Sequence, residues 1–343
     1  MTMLLVVIAH VEQMLMWWGI SSFTFSTSDY RMPLFFFISG VVTFSSRITL
    51  ANPESIRAAV WKKLIMALWP TVVIFLIFSL WFMQVASLNQ TLLSEMKGGY
   101  WFTYVLVQVY ILSIPLMCVL NSERIPRYMG IASVAVLIIL IAAYGKEVTE
   151  AVFPPTLTGY LSFSRVVYYL PFFMLGMLSR LALPHITAFM DRRRFAAILI
   201  VAASSTAGVM LSGGESGVLA DFIGRSMVVG SVFCICYLLK GILCTGNIGG
   251  RMLSMIGRHT LPIYLLHYFI LFGLNKLIFH FLPGQMLPTE ICVLPMAVVV
   301  AIGVSGACLI IYRLLKIIGI RQYIFPTVHS PVPQKSIFKW VRG

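Results

Sequence analysis

The sequence predicts an all-α, polytopic integral membrane protein with about ten transmembrane helices and both termini on the cytoplasmic side. Three observations predict it. Of 343 residues, 59% are hydrophobic and only 10% charged, against roughly a quarter charged in a soluble domain. Apolar stretches recur at bilayer-spanning length, and Lys and Arg fall almost wholly in alternate connections.

A helix rising 1.5 Å per residue needs about 20 residues to cross roughly 30 Å of hydrocarbon. On that measure the spans are 3–20, 32–45, 64–86, 100–120, 128–145, 166–181, 195–211, 218–239, 260–282 and 291–311. The second and sixth are short. The first has no basic leading region and no small-residue cleavage site, and it carries His10, Glu12 and Gln13, so it is not a secretory signal. It begins almost at Met1.

Positively charged short loops stay in the cytoplasm. One set of alternate connections holds Arg47, Arg57, Lys62, Lys63, Arg124, Arg127, Arg180, Arg192, Arg193, Arg194, Lys240, Arg251 and Arg258. The tail adds Arg313, Lys316, Arg321, Lys335, Lys339 and Arg342. The opposite set has Arg31, Lys97, Lys146 and Arg165, while Arg225 and Lys276 fall inside spans. One miscounted helix would scramble this asymmetry. The net charge of +14 is therefore mostly a topology signal. Basic residues scattered over four loops and a tail do not form a nucleic-acid surface. The six cysteines show no disulfide framework or zinc spacing, and no metal is expected.

Residues 1–320 read as one transmembrane domain and 321–343 as a basic cytoplasmic tail whose Trp340 and neighbouring Lys and Arg suit anionic lipid. The longest non-membrane connections expected are 146–165 outside and 241–259 inside. Neither is long enough to bury a core.

Ionisable and polar groups at membrane depth are costly, so each is a candidate for function. His10 lies about seven residues, or roughly 10 Å, from the cytoplasmic end of its span. Gln13 shares its face, and Glu12 points elsewhere. In the ninth span Thr260, Tyr264 and His267 share a face, with His267 at the depth of His10. Thr260 also reads as a helix N-cap. Trp101, Tyr104 and Gln108 share a face of the fourth span. Each has a plainer alternative: core hydrogen bonding for the histidines, packing for Tyr264 and Tyr268. For Arg225 it is a salt bridge to Asp221 one turn away, and for Arg31 and Arg165 headgroup contact. A buried neutral histidine suits general-base transfer of a hydroxyl proton, or a proton relay in a transporter.

Five segments, in order, resemble the acyltransferase family 3 membrane enzymes, especially the fucose 4-O-acetylase-like branch. They are Leu5-Val6-Val7-Ile8-Ala9-His10; Met32-Pro33-Leu34-Phe35-Phe36-Phe37-Ile38-Ser39-Gly40; Trp101-Phe102; Pro171-Phe172-Phe173-Met174-Leu175-Gly176; and Ile256-Gly257-Arg258-His259-Thr260-Leu261-Pro262-Ile263-Tyr264-Leu265-Leu266-His267. The resemblance implies acyl transfer, usually acetyl from acetyl-CoA or another acyl-CoA, to a sugar hydroxyl of a glycan or lipid-linked sugar at the bacterial cytoplasmic membrane. It implies His10 as the catalytic histidine and Arg31 in the acceptor or acyl-donor site. Trp101, Gln108, Arg225, Arg258, Tyr264 and His267 complete the candidate binding residues, with Arg258 the nearest to a cytoplasmic acyl-CoA. Relatives carry further residues ahead of the first helix, so the expectation is a start further upstream or a donor site built differently. Gln108 stands where many relatives have a carboxylate and is assigned no acid or base role. The rival reading is a transporter or flippase of a glycan or acyl precursor, and a third is an inactive relative acting as sensor or scaffold.

Overall fold

The computed structural model describes residues 2–17, 28–82, 88–212, 217–241, 248–281 and 293–327. Those residues are helical nearly throughout, with no strand among them. In order the helices are α1 (Thr2–Trp17), α2 (Ser28–Thr43), α3 (Pro53–Phe82), α4 (Leu88–Leu93), α5 (Trp101–Leu120), α6 (Arg127–Val152) and α7 (Pro155–Leu161). They continue with α8 (Phe163–Arg192), α9 (Arg194–Ser212), α10 (Gly217–Leu238), α11 (Ile248–Arg258), α12 (Thr260–Phe281), α13 (Val293–Ile317) and the single turn α14 (Arg321–Ile324).

Seven described helices are long and apolar enough to cross a membrane: α3, α5, α6, α8, α9, α10 and α13. The first, second and ninth expected spans are present as shorter apolar helices in α1, α2 and α12. The ends of the expected spans at 18–20, 83–86, 282 and 291–292, and most of the basic tail, lie outside the described residues.

Several helices outrun their hydrophobic stretches. α3 starts at Pro53, eleven residues before the expected span, because Asn52 caps it by accepting from the Ser55 N–H at 3.1 Å and Pro53 fits the first turn. It then passes through a π-turn at Leu64–Leu68. α8 runs 30 residues and keeps Pro171 and Pro184 inside it. The expected connection 146–165 is largely helical, taken up by the end of α6 and by α7. The connection 241–259 contains α11, whose Ile256 faces inward while Arg251, Ser254 and Arg258 are exposed.

Glycines set how closely the spans approach. A Cβ on Gly40 of α2 would lie 2.0 Å from the Phe173 carbonyl oxygen of α8, and one on Gly176 of α8 would lie 2.1 Å from that of Phe37. Gly208 of α9 and Gly224 of α10 meet in the same reciprocal way, at 2.7 and 2.6 Å. Apolar burial does not drive association inside lipid, so backbone approach at small residues supplies the van der Waals contact instead. Between the helices lies a core that includes Phe36, Phe172, Phe173, Met174, Met177 and Leu265. The outer faces are equally apolar: Leu80, Trp81 and Met210 are 72%, 77% and 74% exposed. Such surfaces require lipid around them. α1 lies against α2, α12 and α13, with Val7 and Val11 fully buried, which brings His10 to the face of α12.

Candidate active site

Two helices build the centre. α1 contributes His10 and α12 contributes Tyr264, His267 and Tyr268, at i, i+3 and i+4 spacing on one face. The rings of His10 and His267 lie 5.2 Å apart, so the matching depth expected from the sequence shows as direct adjacency. Tyr268 completes a triangle with them, 5.0 Å from His10 and 4.2 Å from His267, ring to ring.

The hydrogen bonds assign the tautomers. Nδ1 of His267 lies 2.6 Å from the Tyr264 carbonyl and 3.2 Å from that of Ile263. Carbonyls only accept, so Nδ1 carries the proton and Nε2 is an acceptor. Nε2 is buried and has no hydrogen-bond partner among the described residues. His10 shows the same polarity: Nδ1 faces the Gln13 Oε1 at 3.5 Å, and Nε2 accepts from the Tyr268 hydroxyl at 3.1 Å. His10, Gln13, Tyr268, Leu271, Phe272 and Asn275 line a small cavity.

Arg31, from α2, donates to the Leu5 carbonyl of α1 at 3.4 Å. Its guanidinium is near enough to act electrostatically on His10, Glu12 and Tyr268.

Tyr264 is occupied by the backbone. Its hydroxyl donates to the Gly99 carbonyl at 2.8 Å and accepts from the Phe102 N–H at 3.2 Å. Tyr100 returns the contact, donating to the Leu265 carbonyl at 3.2 Å. These bonds clamp α12 to the start of α5. Thr260 does not act as the expected N-cap. α11 ends only two residues earlier, so the Thr260 hydroxyl donates back to the Gly257 carbonyl at 2.9 Å, and the His259 carbonyl accepts the first bond of α12 from Ile263.

The remaining candidates lie elsewhere. Trp101 stacks on Tyr169, which stacks on Phe36, and Arg165 caps the column 4.5 Å above the indole. Gln108 donates to the Leu161 carbonyl at 3.0 Å, tying α5 to α7. Nε of Arg225 reaches both Asp221 oxygens at 2.9 and 2.8 Å. Arg258 is exposed on the last turn of α11, its Nε 3.4 Å from the Ser254 carbonyl.

Two participants were not singled out in the sequence. Tyr268 read as packing, although its place one residue after His267 and four after Tyr264 was the available signal. The other is the turn before α5, where Lys97, Gly98 and Gly99 all have positive φ: 47°, 59° and 99°. The Lys97 ammonium is buried and donates to the carbonyls of Leu92, Ser94 and Gly159 at 2.5, 2.9 and 2.6 Å.

Described residues that are helical nearly throughout, with seven helices long and apolar enough to cross a bilayer and apolar outer faces, define a class: multi-pass membrane proteins. Residues 1–312 match the model of the acyltransferase family 3 domain, and the chain belongs to that family. It is a multi-pass membrane acyltransferase. No curated protein and no solved structure matches it.

Proposed function

We propose that this protein transfers an acyl group, acetyl from acetyl-CoA, to a sugar hydroxyl of a cell-surface or precursor glycan, with His10 as general base. The observation that carries the reading is the Nε2 of His10, an acceptor at a small, mostly apolar cavity, already receiving a hydroxyl proton bond from Tyr268 at 3.1 Å. An acceptor hydroxyl taking the place of the phenol would present its proton to the same lone pair. As its oxygen attacks the thioester carbon, the O–H proton passes to Nε2 and a C–O bond forms. The C–S bond then breaks, and the departing thiolate takes the proton back from the imidazolium. Arg31 is the cation placed to oppose charge developing on the carbonyl oxygen.

The exposed basic residues, Arg258 among them, suit the phosphates of a cytoplasmic acyl-CoA. The resemblance to the fucose 4-O-acetylase-like branch supports a sugar acceptor and a bacterial inner membrane, and the loop charges support both termini on the cytoplasmic side.

The test is thiol release from acetyl-CoA by the purified protein with a glycan extract as acceptor. His10→Ala should lower the rate by about 10² to 10⁴, the range general-base catalysis supplies. Undiminished transfer by that variant would remove His10 from the reaction. Substrate flux across liposomes without any acylated product would favour a transporter instead.

A further inference from the structure

We propose that Lys97 is a positioning residue for the reaction centre: its caged ammonium fixes the left-handed turn Lys97–Gly99, and that turn seats the Tyr268 phenol on Nε2 of His10. The inference deepens the proposed function and rests on it for the role of His10.

The chain of contact is short. All three ammonium hydrogens have carbonyl partners, on Leu92 in α4, on Ser94 beyond it and on Gly159 in α7. Lysine is a poor choice both for burial and for a φ of +47°. The cage accounts for its presence, because a point charge with three donors can gather three carbonyls that no neutral side chain would satisfy. Tyr104 adds its ring face at 5.9 Å. Holding Lys97 there delivers Gly99 at φ +99° directly onto the end of the Tyr268 ring. A Cβ at Gly99 would stand 2.4 Å from Tyr268 Cζ and 2.5 Å from its hydroxyl oxygen. The Gly99 carbonyl meanwhile takes the Tyr264 hydroxyl, one helical turn before Tyr268. Gly99 therefore bounds Tyr268 on one side while His10 accepts its proton on the other. Unusual backbone conformations of this kind persist where the surroundings over-determine them, commonly beside functional centres.

The experiment reads His10 itself. The purified full-length protein is treated with diethyl pyrocarbonate, which acylates unprotonated imidazole nitrogen. Modification of His10 is followed by peptide mass spectrometry relative to His185, which is exposed. Tyr268→Phe sets the scale, raising the His10 rate by about fivefold, the factor one ordinary hydrogen bond is worth. Lys97→Met should reproduce that rise, and the double variant should add nothing further, because both act through one contact. In the transfer assay Lys97→Met should lower kcat by about 10- to 100-fold, because the Tyr268 ring, packed 5.0 Å from the imidazole, no longer holds His10 in line with the acceptor hydroxyl that replaces the phenol on Nε2, with KM for acyl-CoA unchanged. A His10 rate equal to wild type in Lys97→Met, with only a lower melting temperature, overturns the proposal. If Lys97→Met does not fold, Gly99→Ala decides it: the cage stays whole and the added methyl displaces the phenol, so an unchanged His10 rate overturns it equally. If the wild-type protein shows no transfer at all, the proposed function fails while the modification arm still judges Lys97.

Discussion

The Lys97 ammonium makes the centre sensitive to pH from outside the membrane-spanning helices. Burial pulls it down to about 8, with Glu95 opposing. Above that value the amine keeps two N–H groups for three carbonyls, and the turn beneath Tyr268 loses one support. Transfer should therefore fall as pH rises through about 8, while Lys97→Arg, whose guanidinium stays charged, should show no such limb. Stability should move the other way. The folded value lies below that of a free lysine, so between the two the unfolded chain binds more protons, and stability rises with pH across that window. Rate and melting temperature measured over the same pH series would separate the two effects. His10 and His267 were legible in the sequence because an imidazole within an apolar run has few reasons to be there. Tyr268 was not, since a tyrosine costs little at such a depth and its role depends on which of several neighbours its hydroxyl meets. Lys97 was legible only as a loop charge, because the carbonyls that cage it include one 62 residues away along the chain.

Among elements, the α2–α8 crossing carries the sharpest test. Gly176→Ala would place a methyl 2.1 Å from a backbone oxygen that cannot rotate away, so the helices must separate. Overpacking of this kind costs about 1–3 kcal/mol. Gly230→Ala, with nothing within 4 Å of the added carbon, should instead gain about 1 kcal/mol from helix propensity. Thermal unfolding of both variants in the same detergent would show the opposite signs. Which apolar segments are helical was legible, because apolar length and turn residues report it directly. Where they stop was not. Hydropathy ends at the first charges, but α3 and α8 continue past Lys62 and Arg180, because capping and intrahelical hydrogen bonds do not depend on whether the residue meets lipid or water. α11 was hidden for a related reason: its eleven residues are too few and too polar to register as a span.

For the whole molecule, the loop charges imply one orientation. Single cysteines placed at Asn52, Ser122 and Gly250 should react with a membrane-impermeant thiol reagent only after the bilayer is opened. Those placed at Glu95 and Lys146 should react in intact cells. The reverse pattern would invert the orientation, and a mixture of the two would break the ten-span count. The site depends on this architecture through one less visible element, the π-turn at Leu64–Leu68 of α3. A π-turn holds one residue more than an α-turn, so it shifts the phase of everything after it by about 100°. With that shift, Phe78 is almost fully buried and its ring sits 5.4 Å from Tyr100 and 6.3 Å from Tyr268. Losing one residue from this stretch would leave an apolar helix of nearly the same length and composition, yet it would turn Phe78 toward lipid and strip the aromatic wall from the tyrosine that touches His10. In α3 the register of the helix, more than its hydrophobicity, is what the centre reads.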